Sequence, residues 1–129
     1  MSHFSTIKTE LRDRQALEAA LAALGHAPAA GPRQVRGYRG QQETADLVVT
    51  PDQGGDLGFR CNPDTGAYEL VTDLDLWGLP VPPERFLAQL QQRYALEAIL
   101  AASAAEGFQV AEQTNADDGS IELVVTRWA

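Results

Sequence analysis

The run from Pro83 to Glu106 is the longest uninterrupted helical pattern in the chain, and the remaining segments have to be arranged against it. Pro82 and Pro83 suit the entry and first helical position, Glu84 complements the positive end, and Gly107 supplies a left-handed stop. At 1.5 Å per residue this is a rod of roughly 35 Å, about the width of a small domain. Phe86, Leu87, Leu90 and Tyr94 form an apolar stripe, and Ala98, Ala101, Ala102 and Ala105 allow close approach along its second half.

The other segments read as short strands and one further helix. Ser2 to Thr9 alternates weakly around Phe4 and Ile7. Asp13 is a plausible N-cap for a helix through Leu24, closed by Gly25, with Leu17, Leu21 and Leu24 on one stripe. His26 to Pro32 is a Pro/Gly connector. Arg33 to Gly40 is the least defined strand, whereas Thr44 to Thr50 is a clear β-branched one. Leu57 to Cys61 and Ala67 to Thr72 flank a turn at Asn62 to Gly66. Asp73 to Val81 leads into the long helix, and Phe108 to Gln113 and Ser120 to Trp128 flank a turn at Asp117 to Gly119. The order β-α-β-β-β-β-α-β-β predicts an α+β fold, an antiparallel sheet with two helices on one face. A ferredoxin-like core with extra hairpin strands is the leading topology, in one globular domain over residues 1–129.

Composition narrows the function. A net charge of −8 argues against a general nucleic-acid binder, because phosphate binding depends on clustered Lys and Arg. The one cysteine, Cys61, cannot form an internal disulfide, and no segment approaches the roughly 18 apolar residues of a membrane span. A cytoplasmic location without a membrane anchor is expected.

Arg33, Arg36 and Arg39 are the only basic concentration, three of the ten Lys and Arg residues, with Tyr38 among them. Strand alternation sends Arg36 to the opposite face from its neighbours, whereas an open polyproline-like segment aligns all three. Aligned, they suit phosphate or carboxylate groups, with Tyr38 as a stacking surface; unaligned, they solvate a sheet edge or pair with acidic residues. Asp73 and Asp75, with Asp64 nearby, match no calcium loop. Cys61, His3 and His26 match no zinc spacing, and no nucleophile-elbow or phosphate-loop motif is present. Neither a metal, a cofactor nor an enzymatic activity is expected. In the last strand Val124 and Trp128 make the second face half apolar, and Trp77 is a further candidate contact anchor.

Several stretches carry a resemblance: Met1-Ser-His-Phe-Ser-Thr-Ile-Lys-Thr9, Val35-Arg-Gly-Tyr38 with Gly40-Gln41, Leu57-Gly-Phe59, Tyr68-Glu-Leu-Val71, Gln92-Arg-Tyr94, Gly107-Phe108 and the ending Gly119 to Trp128. Over nearly its whole length the chain resembles the family of the thirty-fifth hypothetical chloroplast reading frame, a domain of unknown function in cyanobacteria and plastids. It departs in the alanine-rich stretches Ala19 to Ala30 and Ala98 to Ala105. The resemblance implies a soluble cyanobacterial or stromal protein with no established enzymatic activity, and by analogy a part in photosynthetic upkeep or complex assembly. The expected function is a non-enzymatic binding or assembly factor, acting on a protein partner or a second copy through the second sheet face with Val124 and Trp128, with the Arg36 to Arg39 loop as a further contact. The alternative is a regulatory domain that takes a phosphorylated small molecule or RNA at Arg33, Arg36, Tyr38 and Arg39.

Overall fold

The computed structural model describes residues 4–37, 40, 42–105, 108–115 and 121–127. Its elements are β1 (Phe4–Lys8), α1 (Arg14–Ala23), β2 (Ala29–Arg36), β3 (Gln42–Val49), β4 (Leu57–Cys61), β5 (Tyr68–Asp73), a 3-10 turn (Leu74–Leu76), α2 (Pro83–Ala105), β6 (Phe108–Asn115) and β7 (Ile121–Arg127).

Both ends of α1 follow from local chemistry. The Asp13 carboxylate accepts from the amides of Gln15 at 2.9 Å and Ala16 at 3.3 Å, satisfying two donors that the helix cannot pair internally. At the other end the amides of Leu24, Gly25 and His26 donate back to Ala20, Ala22 and Leu21, with Gly25 at φ +89°. α2 completes the start of α1 from outside, because the Tyr94 hydroxyl accepts from the amides of Arg12 at 3.2 Å and Asp13 at 2.8 Å.

The five strands β1 to β5 form one antiparallel sheet in the order β1-β5-β4-β3-β2. Its first face carries Leu47, Val49, Leu57, Phe59 and Leu70 against Leu17 and Leu21 of α1 and Phe86 and Leu90 of α2, all buried. The α+β class and the antiparallel sheet expected from the sequence are therefore present. β6 and β7 pair with each other as a separate two-stranded sheet that adjoins α2.

The sequence places a connector at His26 to Pro32, but β2 already starts at Ala29 and runs through Gly31 and Pro32. The register with β3 shifts between Ala30 and Arg33. Pro32 is tolerated there because β2 is an edge strand broken by an irregularity, where a missing donor costs little.

Beyond this break the outer half of the β2–β3 hairpin lies across the helix-free face of the sheet. Val35 is fully buried with Ala45 and Val48 and packs with Phe4 from β1, the opposite edge in strand order. Arg60 of β4 pairs with Glu43 of β3 at 3.6 Å. A side chain at Gly58 would run into Val35 and would come within 2.9 Å of the Ala45 Cβ. The sheet thus has a second, smaller core made by its own hairpin.

Two outcomes follow. Gly58→Ala destabilises the fold by about 1–3 kcal/mol in chemical denaturation, the usual cost of an extra methyl in a filled core. Tyr94→Phe costs about 1 kcal/mol, since the two amides it serves keep partial access to water.

Candidate functional site

Within the arginine-rich segment, strand geometry separates the side chains. Arg33 stands opposite Ala45 and Arg36 opposite Gln42, so alternation sends the two to different sides of β2. The Arg33 Nε donates to the Ala30 carbonyl at 2.8 Å, and its side chain is otherwise exposed. Arg36 is engaged with Asp56. Its backbone amide and Nε each donate to Asp56 Oδ2 at 2.9 Å, and its second guanidinium nitrogen donates to Oδ1 at 3.0 Å. Asp56 itself is 2% exposed, and its carbonyl accepts from the Thr72 hydroxyl at 3.0 Å. Burial pushes the Asp56 carboxyl up, but the Arg36 hydrogen bonds and charge, with the Thr50 hydroxyl, outweigh it and hold the carboxyl below its usual range. Tyr38 and Arg39 lie outside the described residues.

Trp77 is half-buried and inward-facing. Its indole Nε1 donates to the Val81 carbonyl at 2.8 Å, and its ring makes a T-shaped contact with Phe86, centroids 5.7 Å apart. Val124 lies on β7 opposite Glu112; its side chain and Trp128 lie outside the described part of the chain, as does His3. Asp73 accepts from the Asp75 amide and caps the 3-10 turn. Cys61 is a half-buried free thiol beside the Asn62 carbonyl.

A feature the sequence does not announce is an open groove of about 720 Å³ where three irregular segments meet. The turn after α1 contributes Gly25, His26 and Ala27, the β3–β4 loop contributes Thr50 to Gln53, and the stretch after the 3-10 turn contributes Gly78, Leu79 and Pro80. Next to it is a pocket of about 240 Å³ lined mainly by Leu24, Leu79, Val81 and Phe86. His26, Leu79 and Pro80 wall both spaces.

The groove walls are held by backbone contact. The Gly55 amide donates to the Leu76 carbonyl at 2.7 Å, and a Cβ on Gly78 would meet Gln53 O at 2.5 Å and Gly54 Cα at 2.6 Å. Gly54 has φ +89°, a conformation that favours glycine. The His26 ring makes a T-shaped contact with Phe86, centroids 5.7 Å apart, as does Trp77 on the same ring. Only the paired glycines of Gln53-Gly-Gly55 and Gly78-Leu-Pro80 hint in the sequence that two loops approach so closely.

Among the described residues no helix is long and apolar enough to cross a membrane. Residues 20–124 match the model of a family described as a protein of unknown function, DUF1257. The chain is 37% identical over 128 residues to the uncharacterized protein ycf35 of Cyanophora paradoxa, covering 99% of this chain and 98% of that protein. It is 38% identical to its namesake from Guillardia theta and 35% identical to that from Pyropia yezoensis, each with the same coverage. No solved structure matches.

The depressed Asp56 carboxyl predicts an acid limb. A group whose folded pKa lies below its unfolded value stabilises above the unfolded value, and that contribution is lost as pH falls through the folded one. Stability supplied by Asp56 is therefore complete above the ordinary carboxyl value of 3.8 and drains away below it. Asp56→Asn lowers stability at neutral pH by about 1.5–3 kcal/mol, the range for hydrogen bonds to a charged group, and flattens that part of a denaturation-against-pH profile.

Proposed function

We propose that this chain, which belongs to the DUF1257 family, is a non-enzymatic binding or assembly factor that holds a protein partner in the groove between α1, the β3–β4 loop and the Gly78 to Pro80 stretch. The observation that carries this reading is that the groove walls are set by the chain's own contacts. Gly54 and Gly78 lie backbone to backbone, and Trp77 is tied to Val81. A preset concave surface binds without the ordering cost that a loose loop has to meet. Its polar groups, His26, Thr50, Asp52 and Gln53, are of the kind that orient a bound segment, and Thr50 is already engaged with Asp56. In this reading the protein works in the cytoplasm, or in the stroma for plastid relatives.

The alternative, a phosphorylated small molecule or RNA, has to rely on Arg33 and Arg39, because Asp56 matches the charge of Arg36. Its signature is binding that weakens as salt rises.

The test is native purification with light scattering, run beside an Ala27→Trp variant that fills the groove from an exposed position. A partner should elute with the wild type at fixed stoichiometry and be missing from the variant, with unchanged thermal melting. A wild type that stays monomeric and captures nothing specific sinks the proposal.

A further inference from the structure

We infer that the groove takes a short segment of a partner protein in which a basic side chain stands next to a bulky apolar one, an inference that rests on the groove being the binding surface. The groove mouth has a negative bias. Asp52 is an exposed carboxylate on the rim, and the last turn of α1, which leads into the groove, holds no basic residue to offset it. Among the described lining residues none is Lys or Arg. Beyond the mouth the surface changes character. The adjoining pocket presents Leu24, Leu79, Val81 and Phe86, with room for one bulky side chain, and His26 forms part of the wall between the two spaces.

A cationic group at the mouth and an apolar group in the pocket therefore fit one ligand that carries both. The groove is open, which suits a chain segment whose two ends continue into solvent. A compact small molecule of drug size instead seeks burial of most of its surface. A second copy of this chain is disfavoured as the occupant, since each copy carries a net charge of −8. The same charge draws a basic segment in from a distance.

The experiment uses fluorescein-labelled decapeptide pools and the full chain at low salt, read by anisotropy. One pool fixes Arg followed by Leu or Phe in a Gly/Ser/Ala background, a second replaces that Arg with Glu, and a third replaces the apolar residue with Ser. The Arg-apolar pool should bind and the other two should not. Asp52→Lys should weaken binding roughly fivefold, since it removes one exposed ion pair and puts a like charge in its place, while Asp64→Lys, exposed in the β4–β5 turn, should leave it within about twofold. Absence of binding by the Arg-apolar pool overturns the inference, and so does an equal loss in both charge variants, which would report net charge instead of the groove. If a partner is lost from Ala27→Trp yet the Arg-apolar pool fails to bind, the groove stands as the binding surface and its preference for a basic-apolar segment falls. If neither partner nor pool binds, both fall.

Discussion

The fold depends on one missing side chain. A hairpin can lie across a neighbouring strand only where that strand leaves room, and Gly58 leaves it, with Val35 filling the space above. The next residue, Arg36, then sits where its amide and its guanidinium both reach Asp56. A buried carboxylate is costly when unpaired, but this one is met by three donors from one residue, so its position is specified and its charge is matched. The outcome is a sheet with a core on each side. The two helices cover one face, and the chain's own hairpin covers part of the other, so that part of the second face is not left for a partner.

The same loop that receives the hairpin also builds the groove. Asp56 closes the β3–β4 loop at one end, and Gly54 and Gly55 press its middle against Leu76 and Gly78. Two separate anchors thus fix a loop of turn composition that would otherwise be mobile. Phe86 extends the arrangement into the core, because the His26 and Trp77 rings each make a T-shaped contact with its ring. The groove wall, the second core and the first turn of α2 are in this sense one connected piece of packing.

Where a local rule governs the structure, the sequence is legible. Asp13 and Gly25 mark the two ends of α1 because capping needs only a few neighbouring residues. The turn at Asn62 to Gly66 and the stripe of Phe86, Leu87, Leu90 and Tyr94 on α2 are local in the same way, whereas Ala101, Ala102 and Ala105, expected to bring the second half of the helix close to the sheet, are exposed. The start of β2 is not legible, since Pro32 reads as a connector and its acceptance in a strand depends on that strand being an edge with a broken register. The Arg36–Asp56 pair joins residues 20 apart in sequence through a fold-over that no periodicity encodes. Alternation does foresee that Arg33 and Arg36 part company, and the structure decides in favour of the strand over the extended alignment.

The groove is hidden from sequence for a related reason. Its walls come from residues near 26, 51 and 79, and each stretch taken alone is an ordinary loop of Gly, Pro and small polar residues. What sets them apart is contact between loops, in which glycine matters for what it lacks. A site assembled from backbone, prolines and a few polar side chains offers shape and a charge bias. Such a surface discriminates by what fits and what is repelled, and that is the physical reason to look for its function in a partner it selects.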